Sequence, residues 1–186
     1  MRTFAFAFLL LALSACKKFD ENNISLPKGT KPVWVPPMDT IPDNATLTLK
    51  LIEDSTAHDE TEFIFDQKAS TAFSYANDAP YFTGFGKVSL ASISSDGRDM
   101  AIYSLPYKTG MSVDMDVRGR KDGKLNLEIS RETNIPQDIR VLVKDKYAND
   151  SLDLCKGVYS FKVATADSNS FGKHRLTLVL QSVPEH

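Results

Sequence analysis

The chain has 186 residues, 42% of them hydrophobic, and a formal net charge of −2 with both signs spread along its length. That suits one domain plus a tether, and the absence of a basic stripe argues against nucleic acid as a partner. With only two cysteines, 16 and 155, a disulfide scaffold is not expected.

Arg2 supplies a positive start, and residues 4–15 form an apolar and small-residue run of signal-peptide length. A transmembrane helix would need about 20 such residues. The run ends in Leu13-Ser14-Ala15-Cys16, which reads as a lipobox, the cleavage and acylation signal of bacterial lipoproteins. Small residues before the cleavage point suit a narrow peptidase pocket, and the Cys16 thiol takes the diacylglyceryl group. The expected organisation is a signal peptide over 1–15, a lipidated tether over 16–44 and a folded domain over 45–183. The membrane is then the first partner, through lipid on Cys16. Two or three acyl chains hold firmly, since each buried methylene contributes about 0.8 kcal/mol. Lipidation of Cys16 leaves Cys155 without an internal partner, and its apolar neighbour Leu154 marks it as a small core hydrophobe.

The tether carries Pro27, Pro32, Pro36, Pro37 and Pro42. Proline lacks the backbone donor that helices and inner strands need, so the segment reads as extended or disordered, with a reach of roughly 80 Å. Lys17-Lys18-Phe19-Asp20-Glu21 resembles the charged export signal of surface-exposed Bacteroidetes lipoproteins, which implies a location on the outer membrane facing the exterior. Trp34 could pack on the domain, touch the membrane interface or bind a ligand.

From Ala45 the pattern has period two. Leu47, Leu49 and Leu51 alternate with Thr46, Thr48 and Lys50, and Phe63 and Phe65 continue the pattern. Val88, Leu90 and Ser92 come after a long aromatic loop, and Met100 resumes beyond the Ser95-Asp96-Gly97 turn. Met111, Val113, Met115 and Val117 alternate with Asp114 and Asp116. Leu125, Leu127 and Ile129 come after Lys121-Asp122-Gly123, and Ile139, Val141 and Val143 repeat the pattern. Val158, Ser160 and Lys162 oppose Tyr159, Phe161 and Val163, and Leu176, Leu178 and Leu180 oppose Arg175, Thr177 and Val179. About nine short strands separated by turn residues predict an all-β fold, an antiparallel β-sandwich that is Ig-like or jelly-roll-like. The Thr, Asp, Lys and Arg positions are expected in water, and residues 67–76 could hold one helical turn.

Four stretches together resemble a module of large Bacteroidetes surface proteins, found before the C-terminal sorting tag of type IX secretion substrates. They are Phe63-Ile64-Phe65-Asp66 with Asp78-Ala79; Asp96-Gly97 with Met100-Ala101-Ile102 and Leu105-Pro106; Ile139-Arg140-Val141-Leu142-Val143-Lys144-Asp145 with Asp153-Leu154; and Val158-Tyr159-Ser160-Phe161 with Arg175-Leu176-Thr177-Leu178. The resemblance covers residues 61–180 and implies a β-sandwich with a cell-surface role and no catalytic residues. Ala148-Asn149-Asp150 replaces the Thr-Gly turn of that module, and lipid on Cys16 would stand in for its tag.

No catalytic site, metal site or cofactor is expected. His58, His174 and His186 lack the mutual spacing of a zinc site. Asp54, Asp59, Glu60 and Glu62 form an acidic stretch without the pattern of a calcium loop. Asp114 and Asp116 share a strand face, as a glycosidase pair would, but outer-face alternation accounts for them. No nucleophile elbow or phosphate loop occurs. The stretch from Phe73 to Phe85 gathers aromatics that suit sugar rings or protein partners. Within it Tyr75, Asp78 and Tyr81 are the candidate ligand-binding residues, because tyrosine keeps a polar handle that phenylalanine lacks. The alternative for the loop is a plug over an open end of the sandwich. The reading is a non-enzymatic lipoprotein acting in adhesion or surface assembly through protein contacts. The alternative is a carbohydrate-binding accessory lipoprotein, so the further partner is a surface protein or a glycan.

Overall fold

The computed structural model describes residues 41–84 and 86–183. The expectations for Cys16, for residues 17–21, for Trp34, for Phe85 and for His186 fall outside the described residues. The domain is all-β. Its strands are β1 (Ala45–Asp54), β2 (Ala57–Phe65), β3 (Ala79–Pro80), β4 (Val88–Ile93), β5 (Asp99–Leu105), β6 (Met111–Gly119), β7 (Gly123–Thr133), β8 (Ile139–Asp145), β9 (Asp150–Asp153), β10 (Tyr159–Val163) and β11 (Gly172–Ser182). Short 3₁₀ turns occupy Leu154–Lys156 and Ser168–Ser170. Residues 67–76 contain turns and bends but no regular helix; one i→i+4 turn begins there, where the Asp78 N–H donates to the Ser74 carbonyl at 2.9 Å. The two-residue β3 and the polar β9 lacked enough alternation to be legible.

The strands form one hydrogen-bonded sheet in the order β10-β7-β1-β2-β5-β4-β6-β11-β8-β9, with β3 added beside β5. All neighbours are antiparallel except β2 and β5, which run parallel from Glu62↔Ile102 to Phe65↔Leu105. The sheet is therefore mixed rather than wholly antiparallel. A parallel pair needs a long crossover, and the excursion through β3 and β4 supplies it. The sheet curls until it is nearly barrel-shaped. Its two edge strands, β9 and β10, are joined by residues 154–158 alone.

Curling gives the sheet an inside. Leu47, Leu49 and Leu51 of β1, Leu125 and Leu127 of β7, and Leu176, Leu178 and Leu180 of β11 are buried there with Phe63 and Phe65. Each fully buried leucine contributes about 1.5 to 3 kcal/mol. Cys155 is partly buried against this cluster.

Several polar positions expected in water are buried instead. Thr48, Asp116, Asp145, Arg175 and Thr177 are each under 9% exposed. For Asp145 the reason is register. It continues the inward stripe Ile139, Val141, Val143, and so enters the interior as a carboxylate. For Arg175 the reason is a bulge. Gly172 pairs with Val117 and Leu176 with Met115, so β11 carries two extra residues there. Such an insertion re-aims side chains, and it turns Arg175 from the outer face toward the interior.

Arg175 then closes the gap between the two ends of the sheet. Its Nε and Nη2 donate to Asp145 Oδ2 at 3.0 and 2.8 Å, and Nη1 donates to the Lys162 carbonyl of β10 and the Ser170 carbonyl. The Tyr159 hydroxyl of β10 donates to the same Asp145 oxygen at 3.0 Å. Asp145 Oδ1 accepts the N–H groups of Tyr147 and Ala148. The guanidinium also lies over the rings of Phe161 and Tyr147, at 4.5 and 5.0 Å. Burial would raise the Asp145 pKa. The hydrogen bonds and charge of Arg175, with help from Ala148 and Tyr159, outweigh that and hold it below the ordinary carboxylate value.

Candidate functional site

The aromatic stretch lies where the sheet is weakest. β4 and β5 share only two residue pairs, Ser92↔Met100 and Ile93↔Asp99, and then diverge. Divergence leaves edge N–H groups that must find acceptors. Asp78 Oδ1 takes the Ser104 N–H of β5 at 2.8 Å, and Asp59 Oδ2 takes the Leu90 N–H of β4 at 2.9 Å. Tyr81 donates its hydroxyl to that same Asp59 oxygen. Burial, then the Asp59 carboxylate, raises the Tyr81 pKa well above the usual phenol value. In the angle between the strands, Thr61 donates to the Met100 carbonyl at 3.2 Å. Asp78 and Tyr81 thus build the corner of the fold.

Tyr75 differs. Its loop is pinned at many points. Asp78 Oδ2 accepts the Ser74 N–H at 2.7 Å, Asp96 accepts the Phe73 N–H at 3.1 Å, and Tyr103 donates to the Thr71 carbonyl. Phe73 packs partly against the core with Arg98 over its ring at 4.6 Å. Tyr75 meets Phe73 edge-on at 4.5 Å between centroids, yet is 86% exposed. Phe82 is 74% exposed. The stretch is therefore both things: a cover for the open β5 edge, and a display of two aromatic side chains.

A second feature was not legible in the sequence. Beside the β11 bulge lies a cleft of about 680 Å³, lined by Arg118, Lys146, Tyr147, Phe171, Lys173 and His174 among others. Gly172, at φ +94°, makes the turn that opens it, in a backbone region where a side chain is strained. Among the described residues no carboxylate lines the cleft. The acids stand behind the bases. Lys146 pairs with Asp114 at 3.1 Å, Lys173 with Asp99 at 2.5 Å and Arg118 with Asp116 at 2.9 Å. Burial works against ionisation of Asp114. Hydrogen bonds from Thr177 and Lys146, with the charges of Lys146 and His174, prevail and lower its pKa. Tyr147 is held on one side by Arg175 and through its hydroxyl by Asp167 at 2.9 Å, and remains 51% exposed. A sequence signal existed in the Gly172-Lys173-His174-Arg175 run and in the aromatic Tyr147 of a turn, but nothing in the sequence shows that they meet.

The other candidates disperse into local contacts. Asp114 and Asp116 are both engaged by bases. In the acidic stretch, Asp54 accepts from Thr56 and Glu60 pairs with Lys50 at 3.7 Å. Among the described residues no group of three or more His, Cys, Asp or Glu is placed to hold a metal ion. No family model matches this chain, and no curated protein or solved structure matches it either.

Proposed function

We propose that this chain is a lipid-anchored, non-enzymatic recognition module of the outer-membrane surface, acting in adhesion or surface assembly through protein contacts. The observation that carries the reading is Tyr75. Its backbone is fixed by the pinned loop, yet 86% of its surface is open to solvent. A large ring on a rigid support binds with little loss of conformational entropy. The sandwich arrangement of the resembling surface module belongs to the same reading. It is supported by the junction of only two residue pairs between the halves of the sheet.

Tyr75→Ala, displayed on cells in the full-length protein, should reduce adhesion by about tenfold, as expected of a contact worth more than 1 kcal/mol. The melting temperature should change little, since the ring covers almost nothing. Asp78→Ala is the contrast. It strips an acceptor from the Ser104 and Ser74 N–H groups and should cost about 1 to 3 kcal/mol of stability. Full adhesion by a displayed, folded Tyr75→Ala variant would reject the contact role.

The anchor has its own test. Cys16→Ser should abolish labelling by a fatty-acid probe and move the protein out of the membrane fraction. Persistent labelling would place the lipid elsewhere.

The carbohydrate-binding reading is favoured by one separate observation, the cleft at the β11 bulge. Its Tyr147 ring is pinned and half open, and its rim sets the donors of Arg118, Lys146 and Lys173 beside Ser168 and Asn169, which both donate and accept, a combination that suits a sugar.

A further inference from the structure

The cleft at the bulge has an extension that narrows its ligand. A recess of about 250 Å³ adjoins it, lined by Thr83, Gly84, Lys87, Ser89 and Arg120, and the two share Arg118 and Phe171 in their walls. The cations of the main cleft each have a carboxylate behind them. Lys87 and Arg120, the two that the recess adds, are less closely matched, and Lys87 acts on Asp54 only at longer range. Lys87 donates to the Thr56 hydroxyl at 3.5 Å and Arg120 to the Gly84 carbonyl at 2.5 Å, and neither has a salt bridge among the described residues. The combined groove therefore carries its least compensated positive charge at its recess end, and among the described residues no acid lines either part.

We infer that this groove binds a short acidic oligosaccharide, a sugar chain bearing carboxylates, with one sugar ring on Tyr147 and its carboxylates toward Lys146, Arg118 and Lys87. The inference rests on the carbohydrate reading and specifies its substrate class. Three features carry it. The cationic side chains of the rim, Arg118, Lys146, Lys173 and Lys87, only donate and call for a ligand rich in acceptors, and a carboxylate accepts several charge-assisted bonds at once. The pinned Tyr147 offers an apolar ring face to the C–H surface of a sugar. The ion pairs with Asp114, Asp99 and Asp116 hold the bases in position before the ligand arrives, so little side-chain entropy is lost on binding. The same carboxylates cancel most of the long-range field. A short chain that enters the groove is thereby favoured over a bulk polyanion bound by charge alone.

The test is calorimetric titration of the full-length lipidated protein in detergent micelles with trigalacturonic acid, and in parallel with the neutral trisaccharide cellotriose. The acidic sugar should bind, the neutral one about tenfold more weakly, and added salt should weaken the acidic complex. Lys87→Ala and Lys146→Ala, each with an unchanged melting temperature, should each weaken the acidic complex by about three- to tenfold, and Tyr147→Leu should weaken both sugars. Equal binding of the two sugars, or wild-type affinity in both lysine variants, would overturn the acidic specificity while leaving a carbohydrate site in place. Binding of neither sugar would overturn the inference and the carbohydrate reading together, and would leave the Tyr75 contact role untouched.

Discussion

Asp145→Asn should lower stability at neutral pH by about 3 to 5 kcal/mol, because it leaves the Arg175 guanidinium buried without its counter-charge. Arg175 is 3% exposed and Asp145 1%, so water cannot replace the lost partner. The damage would centre on the gap between β10 and the β8–β11 edge, where one guanidinium connects Asp145, Lys162 and Ser170. Chemical denaturation of both proteins measures the loss.

The pH dependence gives the pair a signature. The folded-state pKa of Asp145 lies below its ordinary value of 3.8. A depressed carboxylate contributes stability that is fully present above the unfolded pKa and lost as pH falls through the folded one. The wild type should therefore lose this contribution below about pH 4, and Asp145→Asn should lack that part of the acid slope. Arg175→Met should behave oppositely. Its Asp145 stays buried without a cation, so mild acidification, which neutralises the carboxylate, should recover part of the loss. The double change Asp145→Leu, Arg175→Met should cost less than the two single changes added, because it removes both charges from the interior. A loss below about 1 kcal/mol for Asp145→Asn would mean that the pair behaves as an exposed one.

Leu178→Ala and Leu127→Ala should each cost about 2 to 5 kcal/mol, the sum of lost burial and the cavity left behind. Both leucines are fully buried. Leu178 stands between Val113 of β6 and Val143 of β8, and Leu127 between Leu51 of β1 and Tyr159 of β10. Both sites have strands on either side, which limits collapse into the vacated space. Asn126→Ala is one residue away on the outer face. It forfeits an exposed hydrogen bond from Ser160 at 2.7 Å and should cost less than about 1 kcal/mol. Equal melting losses for Leu127→Ala and Asn126→Ala would show that β7 presents the other face to the core.

The inward stripes were legible in the sequence because alternation is a local property. Successive side chains of a strand point to opposite faces whatever the strand pairs with, so Leu47, Leu49 and Leu51 or Leu176, Leu178 and Leu180 could be assigned inward from their spacing alone. The Ser95-Asp96-Gly97 turn was legible for a similar reason, with Gly97 at φ +85° meeting a backbone need that is local. The aromatic stretch could be singled out by composition, and Tyr75, Asp78 and Tyr81 within it by chemistry. Their division into one exposed ring and two corner residues could not, because it depends on where β4 parts from β5.

What the tertiary structure alone decided has one physical cause: partners distant in the chain. The parallel pairing of β2 with β5 depends on a crossover whose path no local pattern encodes. The edge N–H groups of Ser104 and Leu90 became sites for Asp78 and Asp59 only once the strands above them had diverged. Arg175 stands one position from Leu176, so simple alternation placed it in water. Two extra residues against β6 turned it inward to Asp145, thirty residues earlier, and the same bulge opened the cleft in which Tyr147 meets Lys173 and His174. Alternation specifies a side chain's face only while the register holds, and the register is set by the neighbouring strand.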